Sequence, residues 1–103
     1  MAIRILSIRG KQDLTEILRE LKVDPYGIKI MAPKALSRCL RIGNVSHIAA
    51  TILKQEMLSA GGDAALPRDV LTGKQKNTDV IIFGTRAQFT RLVEKLRVQP
   101  FGL

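Results

Sequence analysis

The residues whose types could support chemistry are few and lie far apart along the chain. They are the adjacent pair Gly61 and Gly62, the tripeptide Gly84-Thr85-Arg86, the single histidine His47 and the single cysteine Cys39. Glycine-rich turns can present backbone N–H groups to an anion, whereas histidine and cysteine serve in acid–base, nucleophilic or metal chemistry. Their position relative to the secondary structure decides which of these roles is open to each of them.

The glycine pair follows a stretch with helical periodicity, ILKQEMLSA. Phosphate-binding loops have the opposite order, because the N-terminus of the helix that follows the loop supplies the free N–H groups and the favourable dipole end. After a helix, the unpaired carbonyl groups instead require a left-handed residue that turns the chain. The sequence therefore predicts that Gly61 ends the helix and that the pair binds no phosphate.

Gly84-Thr85-Arg86 has the order that anion sites use, since an apolar run precedes it and a helical pattern follows it. The first-turn N–H groups and the Arg86 guanidinium would face an anion, which predicts an anion site at Gly84, Thr85 and Arg86. Thr85 and Gln88 also have the spacing of a capping box, in which each side chain accepts a backbone N–H group of the other residue. A plain helix cap and an anion site both remain open for these residues.

His47 has no serine, cysteine or carboxylate at a spacing typical of a triad, so we interpret it as a structural or solvent-exposed residue. Cys39 alternates with apolar neighbours in a predicted strand, so we expect it to be buried or half-buried. One cysteine excludes an internal disulfide, and one histidine leaves no cluster with zinc-ligand spacing. We expect no catalytic residue, no metal and no cofactor within this chain.

The composition is that of a globular domain: 103 residues, 46% apolar and 25% charged. Seventeen Lys and Arg against nine Asp and Glu give a formal charge of +8, which is typical of proteins that bind polyanions. The basic residues form no block, and the few aromatic residues show no stacking pattern, so nucleic acid is a disfavoured partner. A stand-alone module that binds anions or nucleic acid, or another protein, is kept as the alternative function.

No apolar run approaches the roughly 20 residues that span a membrane. The N-terminus, MAIRILSIRG, lacks the apolar core and cleavage site of a secretory signal. We therefore expect a cytoplasmic protein without a membrane partner.

Hydrophobic periodicity predicts an alternation of strands and helices. The predicted strands are residues 2–9, 28–31, 38–42, 63–66 and 80–83, and Pro33 interrupts the chain shortly after the second of them. The predicted helices begin at Asp13 with Glu16 as its capping-box partner, at Ser46, and at Thr85, and Pro100 ends the last one. Turns are expected at 24–27 and 43–44, and a polar loop at 68–77. Four consecutive apolar residues at 80–83 predict a central strand covered on both faces.

This order favours an α/β fold, an α+β sandwich in which a mixed sheet of about four strands packs with three helices. Residues 1–103 would form one domain around a single core.

Three segments carry a resemblance to a known family. Residues 49–65 (AATILKQEMLSAGGDAA), 78–85 (TDVIIFGT) and 92–103 (LVEKLRVQPFGL) are similar to the region upstream of the catalytic barrel in a subset of bacterial dihydropteroate synthases. The first of these segments is the most specific, whereas residues 1–24 contribute little to the resemblance.

The resemblance implies an N-terminal accessory domain, and the partner it implies is a C-terminal TIM barrel of the same chain that binds the pterin. The full-length enzyme would be a transferase of folate biosynthesis that joins a hydroxymethyl-dihydropterin pyrophosphate to p-aminobenzoate, with magnesium bound in the barrel. Asn44-Val45-Ser46 is only a superficial echo of the family's NVTPDSF segment, so no catalytic residue of the family maps onto this chain. We expect residues 1–103 alone to be inactive and to act in barrel packing, in homo-oligomer formation or in substrate gating.

Overall fold

The structure is a computed structural model that describes residues 1–97, except for the side chain of Leu71. The chain divides into two compact units, the first ending at Leu36 and the second beginning at Ser37. The predicted helix end at Pro100 lies outside the described residues.

The first unit consists of two helices, α1 (Lys11–Glu20) and α2 (Pro25–Ala35). Its core is small, because only Leu14, Ala32 and Leu36 form the buried cluster. Residues 2–9 form no strand, and Ile3 and Ile5 are exposed, so the strand predicted there is wrong. Alternation of apolar and polar residues favours a strand only where a partner strand completes the hydrogen bonds.

The predicted capping box of α1 is also wrong, since Gly10 occupies the N-cap without a side-chain hydrogen bond. The Asp13 carboxylate accepts instead from the N–H group of Arg9, at 3.0 Å.

Residues 25–31 are helical where the sequence predicted a turn at 24–27 and a strand at 28–31. Asp24 is the N-cap of α2, and its carboxylate accepts from the N–H group of Gly27 at 2.9 Å. Pro25 stands at the first helical position, where its missing N–H group costs nothing. Pro33 lies inside α2, which continues for two more residues and ends at Ala35.

The second unit contains the sheet. Its elements are β1 (Ser37–Ser46), α3 (His47–Ala60), β2 (Asp63–Ala65), α4 (Arg68–Leu71), β3 (Asn77–Thr85) and α5 (Arg86–Leu96). The strand order is β1-β3-β2, and both outer strands pair antiparallel with β3. The predicted α+β class is thus confirmed, whereas the mixed sheet of about four strands with three helices is corrected, for residues 1–97, to three antiparallel strands and five helices. Part of the loop predicted at 68–77 is the short helix α4.

One face of this sheet carries the core. Thr78, Val80 and Ile82 alternate along β3 as its buried residues. They belong to the side on which α3, α4 and α5 contribute Leu53, Met57, Val70 and Leu92 to a common buried cluster. The prediction that β3 is central is confirmed. The prediction that it is covered on both faces is wrong, because its odd-numbered residues 77–83 are exposed.

Both ends of α3 follow the sequence prediction. The Ser46 hydroxyl accepts from the N–H group of Ala49 at 3.1 Å, which is an N-cap. Gly61 has φ +100°, and its N–H group and that of Gly62 donate to the carbonyl groups of Leu58 and Met57. This is a Schellman motif, so the interpretation of Gly61 as the end of the helix is confirmed.

Gly62 has a different reason to be glycine. A Cβ atom there would lie 2.5 Å from the Met57 Cε atom and 2.6 Å from the carbonyl oxygen of Phe83. The pair therefore serves first to turn the chain and then to bring it close to β3.

No helix within residues 1–97 is both long and apolar enough to cross a membrane.

Candidate functional site

One exposed surface of the second unit is the side of the sheet opposite to its helices. Residues paired directly across an antiparallel ladder point to the same side, so Ile81 shares its side with Arg41 and Ala65, and Phe83 shares it with Cys39. We call this surface the open face and define it by Cys39, Arg41, Ala65, Asp79, Ile81 and Phe83. All six residues are exposed.

Cys39 corrects a prediction, because the sequence indicated a buried or half-buried residue and the structure exposes it. It does lie in a strand, as expected. Its exposure follows from the side to which it points, since no helix of the second unit covers that side. Strand periodicity alone does not reveal which of the two sides is covered.

Asp79 organises one end of the open face. Gly43 and Asn44 oppose this single residue in the β1–β3 ladder, because Ile42 pairs with Val80 and Val45 with Thr78. Such a two-against-one arrangement is a β-bulge, and Asn44 adopts the left-handed φ of 54° within it. The turn predicted at 43–44 is therefore wrong, since β1 continues through the bulge.

The Asp79 carboxylate holds this bulge with both oxygens. Oδ1 accepts from the N–H group of Asn44 at 3.1 Å, and Oδ2 accepts from Nε of Arg41 at 3.0 Å. The Asn44 hydrogen bond and then the Arg41 guanidinium hold the pKa of the Asp79 carboxyl group below its ordinary value of 3.8. The group is thus ionised at neutral pH, and it neutralises Arg41.

A second carboxylate behaves in the same way at the start of β2. The N–H group of Ala64 donates to Asp63 at 2.7 Å and the Lys54 ammonium group donates at 3.2 Å. These two hydrogen bonds, with the backbone donor the larger cause, lower the pKa of Asp63. Both perturbed carboxylates are therefore partners in structural ion pairs.

A shallow cleft of about 620 Å³ adjoins the bulge. Its polar lining includes Arg41, Asn44, Gln75, Asn77 and Asp79, and its apolar lining includes Ala65, Leu66, Pro67 and Ile81. The Gln75 side chain already donates to the carbonyl group of Asn77 at 2.9 Å. The cleft thus combines an apolar wall with polar groups that are largely paired within the protein.

The Gly84-Thr85-Arg86 junction is built as a helix cap. The Thr85 hydroxyl accepts from the N–H group of Gln88 at 3.2 Å, and the Gln88 carboxamide accepts from the N–H group of Thr85 at 2.8 Å. The predicted capping box is thereby confirmed, and it occupies two of the N–H groups at this helix end. Arg86 is exposed beside them. The anion site at Gly84, Thr85 and Arg86 stays a prediction.

His47 is the first residue of α3 and is half-buried beside a shallow groove of about 400 Å³. Its N–H group donates to the carbonyl group of Lys76 at 2.7 Å, so its backbone ties α3 to the segment before β3. Across residues 1–97, no three His, Cys, Asp or Glu side chains lie together as a possible metal site.

Sequence reasoning missed the open face and the cleft. The signal was present, because Asn77, Asp79, Ile81 and Phe83 occupy every second position along β3, of which the sequence predicted only residues 80–83 as a strand. The four consecutive apolar residues 80–83 indicate a strand buried on both sides. This run makes the alternation of exposed and buried positions along residues 77–83 difficult to recognise in the sequence.

The fold and its exposed sheet side define a small α+β domain, and comparison with known proteins relates it to one group of enzymes. The chain is 40% identical over 73 residues to a bifunctional dihydropteroate synthase/dihydropteroate reductase of Helicobacter pylori. It is 35% identical over 92 residues to a probable bifunctional folylpolyglutamate synthase/dihydropteroate synthase of Halobacterium salinarum. A protein of Haloferax volcanii with the same description is 35% identical over 72 residues.

These matches include 71%, 88% and 70% of the chain but only 19%, 11% and 8% of the respective relatives. The chain therefore corresponds to a small segment of larger proteins that contain dihydropteroate synthase. Neither a family model nor a solved structure matches the chain.

Proposed function

We propose that this chain is a noncatalytic accessory domain of a dihydropteroate synthase, located on the N-terminal side of a pterin-binding TIM barrel. The observation that carries this proposal is the activity shared by the relatives. One relative combines dihydropteroate synthase with dihydropteroate reductase, and two combine it with folylpolyglutamate synthase. Dihydropteroate synthase is the description common to all three, so it is the activity that accompanies the matched segment.

The chemistry of the described residues supports a noncatalytic role. A general acid or base works best with a pKa near the operating pH. Asp63 and Asp79 are shifted in the opposite direction, since hydrogen bonds and a neighbouring cation lower the pKa of each. Both are therefore suited to holding the fold together. The barrel would supply the pterin, p-aminobenzoate and magnesium sites, and this domain would act by packing against the barrel.

The test compares the full-length native enzyme with a form that lacks residues 1–103, using hydroxymethyl-dihydropterin pyrophosphate, p-aminobenzoate and magnesium as reagents. Removal of a general acid or base costs about 10²- to 10⁴-fold in rate. We expect kcat to change by less than about tenfold and product still to form, while the stability, assembly or KM of the enzyme shifts.

A folded barrel whose kcat falls by more than about 100-fold would show that the domain takes part in the reaction. As a matched check within the intact enzyme, Arg41→Gln and Asp79→Asn should each leave kcat within the same tenfold window. Circular dichroism of every form would establish that the barrel is folded. Absence of dihydropteroate formation by the intact enzyme would contradict the family assignment itself.

A further inference from the structure

We propose that the open face of the sheet is the surface by which this domain docks on the remainder of the same dihydropteroate synthase polypeptide. This inference rests on the proposed function and adds the location of the interface. Three properties of the open face carry it: its apolar residues, its paired charges and its size.

The apolar residues lie where a solvated sheet would carry polar ones. An antiparallel sheet with one free side usually alternates apolar residues inward and polar residues outward. In β3 the outward residues Ile81 and Phe83 are 39% and 40% exposed, although they stand in the central strand. Cys39 and Ala65 flank them on the neighbouring strands. A contiguous exposed apolar patch of this kind marks an interaction surface.

The charges favour a protein partner over a polyanion. The chain carries a formal charge of +8, but on the open face the Arg41 guanidinium is paired with Asp79 at 3.0 Å. A surface that binds nucleic acid would present unpaired cations to phosphate groups. An apolar centre with a paired, partly exposed ion pair at its edge is instead the arrangement of protein interfaces.

The size of the face favours a partner on the same polypeptide. At a strand spacing of about 4.8 Å, with β1 and β3 each about 30 Å long and the three-residue strand β2 about 10 Å long, the sheet has a footprint of about 350 Å². A stable interface between separate chains buries about 800 Å² on each side. A covalently linked partner needs less, because the linkage supplies an effective concentration in the millimolar range. At most 19% of each relative aligns with this chain, so in all three the matched segment is covalently linked to a much longer remainder.

Cysteine labelling of the full-length enzyme tests this interface. Cys39 lies on the open face, and Leu58, which is 49% exposed on α3, offers a matched position away from the sheet. The rate of maleimide modification is measured by peptide mass spectrometry for native Cys39 and for Leu58→Cys in a Cys39→Ser background. Each rate is divided by that of the same cysteine in urea. Light scattering at each concentration records whether the protein is a monomer.

We expect Cys39 of the monomeric enzyme to react at least tenfold more slowly than the cysteine of Leu58→Cys. Phe83→Lys should raise the Cys39 rate toward that of the reporter, because a buried ammonium group would oppose docking. The same substitution should leave the rate of the reporter unchanged.

Equal normalised rates in a folded monomer would overturn the proposal, and this comparison does not depend on the folding of any open-face variant. Protection that disappears when a dimer is diluted to monomers would overturn it in favour of a second copy as the occupant. The deletion assay described above addresses the accessory role separately. If Cys39 is unprotected while the deletion assay supports an accessory role, the open face is not the docking surface, but the proposed accessory function stands.

Discussion

Single residues decide the chemistry of the open face, and Asp79 is the clearest case. Its carboxylate serves a backbone donor in a β-bulge and a guanidinium group at once. Loss of Oδ1 as an acceptor would leave the Asn44 N–H group without its partner, and loss of Oδ2 would do the same to the Arg41 side chain. Asp79 therefore couples the local shape of β1 to the charge balance of the exposed surface.

Acid should weaken the folded state through this residue. The pKa of Asp79 is lower in the folded chain than the ordinary value of 3.8 that an unfolded chain would have. Its contribution to stability is therefore fully present above pH 3.8 and is lost as the pH falls through the lower, folded-state pKa. Urea unfolding of the 103-residue chain at pH 6 and at successively lower pH values should show less acid dependence for Asp79→Asn than for the native chain.

Asp69→Asn is the matched control, since the Asp69 carboxylate lies on an exposed residue of the short helix α4. This variant should retain the acid dependence of the native chain. An equally steep acid dependence in Asp79→Asn would show that the ion pair and the bulge hydrogen bond do not stabilise the fold.

Elements whose ends depend on local hydrogen bonds were predictable from the sequence. Ser46, Gly61 and the Thr85–Gln88 pair cap their helices as their residue types indicate, because the partners lie within three or four positions. Elements that depend on partners distant in the sequence were not predictable in this way. Residues 2–9 show strand alternation without a paired strand. Asp24-Pro25 was missed for a different reason, because an aspartate followed by proline begins both turns and helices.

The end of α3 gives a prediction about glycine. Gly61→Ala would place a Cβ atom at φ +100°, and that atom would lie 2.8 Å from Nε2 of Gln88. A left-handed non-glycine residue costs about 1–2 kcal/mol. Displacement of Gln88 would in addition weaken the cap of α5, whose loss costs about 1 kcal/mol. We expect a loss of about 2–3 kcal/mol in the free energy of unfolding, measured by urea titration.

Gly73→Ala separates the two contributions, because Gly73 has φ +77° with no neighbouring atom within 4 Å. It should cost only the conformational part, about 1–2 kcal/mol. Equal losses for the two variants would refute the role of Gln88.

The two sides of α3 should respond very differently to truncation. Leu53 is 2% exposed within the core of the second unit, whereas Leu58 on the same helix is 49% exposed. Leu53→Ala should lower the free energy of unfolding by about 2–5 kcal/mol through lost burial and a cavity. Leu58→Ala should change it by less than about 0.5 kcal/mol. Chemical denaturation measures both, and similar losses would contradict the assignment of the core to this side of α3.

At the scale of the molecule, the sequence predicted the α+β class but not which side of the sheet the chain covers. The apolar residues 80–83 are typical of a strand that is covered on both sides, and the structure of residues 1–97 covers only one. The two observations agree if a partner covers the side of Ile81 and Phe83. A pattern of this kind indicates burial but does not state which polypeptide segment provides the cover, so the wrong prediction at β3 and the proposed docking surface have the same physical origin.

The two units should also differ in stability. The buried cluster of the first unit has three members, whereas that of the second has ten. Since apolar burial is the main favourable contribution to folding, α1 and α2 should open at a lower free energy than α3 and β3. Hydrogen–deuterium exchange of the 103-residue chain should therefore show amides of residues 14–20 exchanging at least tenfold faster than those of residues 50–58. Leu53→Ala should accelerate exchange in α3 and β3 while leaving that of α1 unchanged. Equal protection of α1 and α3 in the native chain, or a parallel loss in both after this substitution, would show that the two units unfold as one.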